Sequence, residues 1–329
     1  MEKDKCGGLN LNTRKLTEAA MLSALFVVTS MMAIYTGIAY TLYLDMIVPL
    51  FICLTYMRLD GKYTLLSSVT SLLIVTLSLG DVASAIWMSQ GIVMGLICGY
   101  FIRKKGTIFD DFFYSAILGC FVMMLIDIYF SKLTGYSFMK EFDSYRALFP
   151  LSEEYMAIVF SIFVATIPIS TILIVYVGAL FIGKKLNILN ENTNEKYMII
   201  RNFRKYGAYI CCSKNTYFSG IIYLLIYELL NSIGFQFNFV YFKNVVMAIR
   251  VVVIYFILKD SFSFVIKALS LKTKSQGMTQ IIWLLLIYML LVNFKFTFII
   301  LVISSLVINY FMKLRDMQIS MLDNILVKR

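Results

Sequence analysis

Apolar residues occur in long runs along the chain, and short charged or polar segments separate the runs. Most runs are about 17–25 residues long, the length that an α-helix needs to cross a hydrocarbon core of about 30 Å. The pattern predicts about ten transmembrane helices, and eight remain possible because the spans after residue 215 are the least clearly divided. The predicted spans are 16–38, 42–57, 63–79, 82–102, 111–131, 155–182, 216–237, 244–268, 279–293 and 296–312.

The composition supports an all-α polytopic membrane protein. Hydrophobic residues make up 60% of the chain and charged residues 15%. In soluble domains, about 45–50% of the residues are apolar and about 25% are charged. The alternating ten-residue segments of a β-barrel are not visible, and helices otherwise satisfy every backbone group in lipid. The first apolar run begins at Leu16 without a cleavage site behind it, so we expect a retained helix rather than a removable signal peptide.

Positive charges give the predicted orientation. The formal net charge is +11, and most of the 30 Lys and Arg residues lie at alternate ends of the predicted spans. Such residues concentrate on the cytoplasmic side of membrane proteins, so we expect a multi-pass protein of the bacterial cytoplasmic (inner) membrane with both termini cytoplasmic. The basic loops are then expected to contact anionic membrane lipids, and the charge requires no nucleic acid to explain it.

One polar, basic segment divides the predicted spans. It runs from Lys184 to Asn215 and is rich in Asn, Lys and Arg. We therefore expect a six-helix membrane unit in residues 1–183, a cytoplasmic linker in residues 184–215 and about four helices in residues 216–329. The segment Ser131–Glu154 is expected outside the membrane, where it would cap an outward-facing cavity.

The residues needed for common catalytic chemistry are missing or scattered. The chain has no His, and its six Cys show no CxxC spacing, so neither a metal site nor a disulfide framework is indicated. No phosphate-binding glycine loop occurs, and no spacing singles out a nucleophile with a base. We expect a protein that is not an enzyme and that has no cofactor or metal.

Small residues mark two predicted helix contacts. Gly91, Gly95 and Gly99 form a GxxxGxxxG ridge in the fourth span, which predicts close helix packing. Ala20 and Ala24 form an AxxxA step in the first span. That step fits either an internal helix contact or a docking face for a separate subunit.

Ionisable residues inside predicted spans are candidates for function, because charge is costly in lipid. Asp127 lies among apolar neighbours in the fifth span; it either serves a site, reaches the outer interface or pairs with Lys132. Glu228 and Arg250 lie near the middle of the seventh and eighth spans. Adjacent antiparallel helices would bring them into an intramembrane ion pair, with a transport or gating role as the alternative.

Two families resemble this sequence. The segment TRKLTEAAMLSALFVVTSMM, with its AxxxA step, and the six-span unit that it opens resemble the S components of energy-coupling factor (ECF) transporters. The whole-chain layout, with DSFSFVIKALS followed by an apolar hairpin and KLRD, is similar to the YybS-like family of uncharacterised bacterial membrane proteins, which is regarded as related to S components. S components stop after six helices, and this chain has about 150 residues more.

The resemblance implies a substrate-binding component of an ECF-type transporter for a small solute of the vitamin or micronutrient class. Ala20 and Ala24 would then contact the ECF coupling subunit, and partner ATPases would supply energy. An outward-facing site needs polar and aromatic side chains in the outer halves of the spans. The predicted substrate-binding residues are Asp81, Trp87, Gln90, Asp127 and Tyr129.

Other hypotheses remain open at this point. Asp81 follows Gly80 and also fits a helix N-cap for the fourth span. The whole chain alternatively fits a membrane scaffold or regulatory protein in cell-envelope or cell-cycle processes, which would use the basic linker and helix faces for protein contacts. A third interpretation, an intramembrane lipid-modifying enzyme, lacks recognisable catalytic residues.

Overall fold

A computed structural model gives the fold of the protein. It describes residues 13–37, 40–135, 137, 144, 152–234, 240–273 and 276–327. Within these ranges the chain forms helices and no strand. Most of the predicted outside segment between Ser131 and Glu154 lies outside the described residues, so its role as a cap stays a prediction.

The helices follow the apolar runs of the sequence. The first six are α1 (Thr13–Thr36), α2 (Tyr40–Leu59), α3 (Gly61–Leu79), α4 (Val82–Arg103), α5 (Ile108–Thr134) and α6 (Glu153–Lys185). The next four are α7 (Glu191–Arg201), α8 (Phe203–Tyr206), α9 (Lys214–Ser232) and α10 (Val240–Thr273). The last three are α11 (Gln276–Val292), α12 (Phe294–Met312) and α13 (Leu314–Val327).

The fold class predicted from the sequence is confirmed. In the described part of the chain, seven helices are long and apolar enough to cross a membrane, namely α1 to α6 and α12. A shorter apolar helix covers Gly277–Val292. The predicted spans 216–237 and 244–268 are largely helical but are not among the seven.

The chain divides into two compact units. The first unit contains residues 1–104, 125–141 and 171–190, and the second contains residues 105–124, 142–170 and 191–329. The predicted linker, residues 184–215, includes α7, α8 and a 3₁₀ turn at Gly207–Tyr209.

Hydroxyl groups join α1 to α3 in the first unit. The hydroxyls of Ser23 and Ser71 lie 2.6 Å apart, and Ser67 donates to the backbone carbonyl of Ala19 at 3.3 Å. These serines are buried. Small polar side chains let two helices approach closely and hydrogen-bond where lipid provides no hydrophobic drive.

The glycine ridge of α4 lies directly against α2. A Cβ atom at Gly95 would lie 2.5 Å from the carbonyl oxygen of Pro49, and one at Gly99 would lie 2.6 Å from the Cβ of Tyr56. At Gly91 the nearest α2 side chain, that of Val48, would be 2.9 Å away. Only glycine fits at such distances, so the ridge holds these two helices together.

Candidate functional site

The polar and aromatic residues predicted to bind a solute lie at one end of the first unit. Trp87 of α4 donates its indole N–H to the carboxylate of Asp45 at 2.8 Å. The rings of Trp87 and Phe130 also pack in an edge-to-face arrangement, with their centroids 6.3 Å apart. Phe130 follows Asp127 by one helical turn, and Gln90 follows Trp87 by one turn. The Trp87 group consists of Asp45, Trp87, Gln90, Asp127 and Phe130.

Asp45 reaches Trp87 from a π-helical turn in α2. The turn covers Tyr43–Ile47 and ends two residues before Pro49, which has no backbone N–H to donate. The hydroxyl of Tyr43 lies 2.7 Å from that of Ser30, a contact that fixes the turn against α1. Single π turns occur frequently at functional sites. Asp45 was not in the predicted site, and the nearby proline is the sequence signal for this turn.

Asp81 caps a helix. It is the N-cap residue of α4, and its carboxylate accepts a hydrogen bond from the backbone N–H of Ala83 at 3.0 Å. Its second oxygen accepts from Ser84, whose hydroxyl lies 2.5 Å from that of Tyr40. The carboxylate therefore stabilises the start of α4 next to the Trp87 group.

Asp127 and Tyr129 occupy different environments. Asp127 is partly buried, and its carboxylate accepts a hydrogen bond from Ser137 at 3.2 Å. Tyr129 is 59% exposed. The structure thus brings Trp87 next to the helix that carries Asp127, while Tyr129 lies on an exposed face.

The opposite end of the first unit is basic. Asp60 lies between α2 and α3 and accepts from both Lys15 and Arg103. The hydrogen bond from Lys15 has the largest effect on the pKa of Asp60 and lowers it below its ordinary value. The hydrogen bond from Arg103 lowers this pKa as well, whereas partial burial opposes the shift. Arg58 pairs with Glu18 at 3.0 Å. This basic end ties the beginning of α1 to the ends of α2 and α4.

The small residues of α1 lie on two different faces. Ala19 and Ser23 are buried against α3, whereas Ala20 and Ala24 are exposed. Exposed apolar side chains flank the two exposed alanines, Met21 at 68% and Leu25 at 51%. The AxxxA step therefore does not make the internal contact of α1.

Glu228 and Arg250 form an ion pair between α9 and α10. The Arg250 guanidinium lies 2.5 Å from the Glu228 carboxylate and 4.4 Å from the centroid of the Tyr227 ring. The Glu228 side chain remains 56% exposed.

The second unit contains a buried charge cluster that sequence reasoning missed. Arg315 of α13 pairs with Asp260 of α10 at 2.6 Å, and each side chain is 2% exposed. Arg315 also donates to the backbone carbonyl of Cys212 at 3.0 Å, while the backbone N–H of Cys212 donates to Asp260 at 3.1 Å. The ring of Tyr217 lies 4.3 Å from the guanidinium carbon. These contacts join three separate parts of the chain.

A second buried ion pair attaches α7 to the start of α5. Lys196 pairs with Asp111 at 2.6 Å, and the two side chains are 5% and 3% exposed. Burial lowers the pKa of Lys196, and Asp111 opposes that shift. The neighbouring Asp110 accepts from the backbone N–H of Ser213 at 2.9 Å. Asp110 and Asp111 thus bind residues on both sides of α8, Ser213 after it and Lys196 before it.

Cysteines adjoin the charge cluster without forming a metal site. Cys211 and Cys212 are buried, free thiols, and burial raises the pKa of Cys211 to about 12. No group of three or more Cys, Asp or Glu side chains suited to a metal ion occurs among the described residues. Thiols with raised pKa values react slowly, so these cysteines serve packing.

A sequence signal for the charge cluster existed. Asp260 follows Lys259 inside a predicted span, and the adjacent acids Asp110 and Asp111 lie at the start of another. Charges at such positions require partners. Their partners Lys196 and Arg315 lie 85 and 55 residues away from Asp111 and Asp260, a separation at which sequence alone gives no pairing.

The first part of the chain is similar to a described family of membrane proteins. A family model described as "Predicted membrane protein (DUF2232)" matches residues 15–147, from α1 to beyond the end of α5. No curated protein and no solved structure matches the chain. The match and the apolar helices agree that this is a membrane protein.

Proposed function

We propose that this protein is the solute-binding membrane component of an ECF-type transporter for a small solute of the vitamin or micronutrient class. In this role it catalyses no reaction and uses no cofactor. A coupling subunit docks on α1, and partner ATPases supply the energy. Two features of the first unit support the proposal, and they lie towards opposite ends of its helices.

The exposed AxxxA face of α1 is the observation that carries the proposal. Ala20 and Ala24 are exposed, although neighbouring small residues of the same helix are buried against α3. Alanines four residues apart let the backbone of another helix approach closely. A helix of the coupling subunit fits this face, because the internal packing of α1 does not use it.

The Trp87 group supports binding of a small polar solute. The indole of Trp87 and the ring of Phe130 provide apolar surface, and the carboxylate of Asp45 fixes the indole through its hydrogen bond. Gln90 and Asp127 lie one turn from these rings and carry amide and carboxylate groups. A few placed polar groups beside aromatic surface are typical of small-molecule sites.

The site assignment is tested on the gently purified protein. Mass spectrometry identifies the small molecule and the subunits that remain bound, and binding of that molecule is then measured for Gln90→Ala and Asp127→Ala. We expect each variant to bind at least about tenfold more weakly, the usual scale for loss of a buried hydrogen bond to a ligand. Gln280→Ala, at an exposed position of α11, is the matched control. Unchanged binding by both site variants contradicts the assignment.

The docking face is tested by co-purification. The double variant Ala20→Leu/Ala24→Leu adds volume where a partner helix would approach, so we expect loss of the coupling subunit and the ATPases. Val69→Phe enlarges an exposed side chain of α3 and should leave the complex intact. Retention of the subunits by the double variant contradicts docking at this face.

A scaffold or regulatory role is the second candidate, and one observation favours it. Phe203 is 62% exposed, and the basic residues around it, Arg201, Arg204 and Lys205, are also exposed. The buried Lys196–Asp111 pair anchors α7, which directly precedes them. This role would be supported if cell-envelope or division proteins, and not ATPases, co-purified with the protein, and if the Phe203→Ala variant no longer recovered them.

A further inference from the structure

The second unit contains a cavity of about 180 Å³ at the start of α5. Four parts of the chain line it: the residues that precede α5, one face of α7, the segment before α9, and α13. Its lining residues include Lys105, Ile108, Glu195, Lys196, Ile199 and Ile319.

The sequence of α7 explains its contribution to the cavity. Asn192, Glu195, Lys196 and Ile199 are spaced three and four residues apart, so they share one helical face. All four line the cavity. The Lys196–Asp111 pair holds this face against the start of α5.

Two opposite charges in the cavity have no ion-pair partner among the described residues. Lys196 is neutralised by Asp111 at 2.6 Å. Lys105 and Glu195 both line the cavity, and neither forms an ion pair within the described part of the chain. The apolar side chains of Ile108, Ile199 and Ile319 also line the cavity. Apart from the paired Lys196, the cavity therefore offers one cation, one anion and apolar lining.

One wall of the cavity is the short connection between two candidate membrane spans. Residues 104–107 separate two helices that are long and apolar enough to span a bilayer, Val82–Arg103 and Ile108–Leu133. Lys105 belongs to that short connection, and Ile108 begins the second helix. A ligand here can come from the aqueous phase or from the headgroup layer.

We propose that this cavity binds a small zwitterion that carries a primary ammonium and an acidic group. The ammonium donates hydrogen bonds to the Glu195 carboxylate, the phosphate or carboxylate of the ligand pairs with Lys105, and the short carbon linker contacts Ile199 and Ile319. A cavity of about 150 Å³ holds a molecule the size of benzene, so the volume suits such a group. Both a phosphatidylethanolamine headgroup and free phosphoethanolamine have this chemistry. The proposal is independent of the transport role.

The test uses the full chain in nanodiscs, and native mass spectrometry reports the bound lipid. Discs contain phosphatidylethanolamine or phosphatidylglycerol, which share the phosphate but differ in the ammonium. We expect retention of phosphatidylethanolamine and a loss of about tenfold in affinity for Glu195→Gln and for Lys105→Gln, the scale of a charge-assisted hydrogen bond. Glu191→Gln, one turn earlier and exposed, is the matched control.

A charge exchange separates binding from folding. The double variant Lys105→Glu/Glu195→Lys keeps both charges in the cavity but exchanges their positions. This variant should bind the zwitterion better than either single variant, with the ammonium and the acidic group of the ligand in exchanged positions. Thermal unfolding of every variant shows whether it remains folded. Calorimetry with phosphoethanolamine in phosphatidylcholine discs identifies the source: binding there without lipid retention assigns a free solute. Equal retention of both lipids by every variant, together with no binding of phosphoethanolamine, overturns the proposal.

Discussion

Arg315 and Asp260 form an ion pair at 2.6 Å although 55 residues separate them along the chain. Arg315 also donates to backbone carbonyls that precede α9, so the pair fixes α13 to two other parts of the second unit. Both side chains are almost fully buried. Such a pair is costly to break, because removal of one partner leaves the other charge buried and unpaired.

The first prediction concerns this pair. Arg315→Met should lower the free energy of unfolding by about 3–5 kcal/mol, the range for one partner of a buried pair. Thermal unfolding in detergent measures the change. The readout is the reaction of a thiol dye with Cys211 and Cys212, which are buried in the folded protein.

An exposed pair nearby provides the control. Lys214 and Asp316 also lie 2.6 Å apart, but their side chains are 50% and 49% exposed. Lys214→Met should change stability by about 1 kcal/mol or less. Combining Arg315→Met with Asp260→Leu should recover much of the lost stability, since neither charge then remains buried. Equal losses for Arg315→Met and Lys214→Met would contradict this account.

The second prediction concerns the glycine ridge. Gly95→Ala places a methyl group 2.5 Å from the Pro49 carbonyl oxygen, so α2 and α4 must move apart. We expect a loss of about 1–3 kcal/mol, as for overpacking elsewhere. Gly277→Ala is the control because a Cβ atom added at Gly277 would meet nothing within 4 Å, and it should leave stability unchanged or slightly higher. Unfolding midpoints in the same detergent compare the two.

Helices were predictable from the sequence because the bilayer imposes a length and a polarity on each of them. The glycine ridge was also predictable, since Gly91, Gly95 and Gly99 repeat every four residues, and the structure places α2 against them. The spacing of small residues carries the packing information directly, without knowledge of the partner helix.

Long-range polar pairing was not predictable. Trp87 and Asp45 are 42 residues apart. Pro49 indicates an irregular turn, but the sequence does not show that this turn brings Asp45 to Trp87. Nor does the sequence indicate which face of α1 is buried, because Ala19, Ala20 and Ala24 are all small. Their separation into a packed and an exposed face depends on where the serines of α3 lie.

The third prediction concerns pH. Hydrogen bonds from Lys15 and Arg103 lower the pKa of Asp60 from its ordinary 3.8. A carboxyl with a depressed folded pKa contributes stability above its ordinary pKa, and that contribution is lost as the pH falls through the lower folded value. Asp60→Asn keeps a residue type that tolerates the positive φ of 80° and removes the charge.

Comparison of this variant with the original protein gives the measurement. The variant should be less stable by about 1 kcal/mol or less, because the site is partly exposed. The difference between the two unfolding midpoints should be present at pH 6, should begin to shrink near the ordinary pKa of about 4, and should be lost as the pH falls through the lower folded pKa of Asp60. A difference that persists at the lowest pH would assign the effect to packing instead.

The fourth prediction concerns orientation, on which the predicted cytoplasmic termini and the outward-facing site both depend. Five native cysteines are buried, and the substitution Cys6→Ser removes the sixth. In this background, a membrane-impermeant maleimide should label only a cysteine that is newly introduced at the surface. Glu191→Cys lies at the exposed start of α7, and Thr36→Cys at the exposed end of α1. Because basic residues favour the cytoplasmic side, Glu191→Cys should be labelled only after permeabilisation and Thr36→Cys in intact cells. The reverse pattern would place the Trp87 group on the cytoplasmic side, where it cannot take a solute from outside.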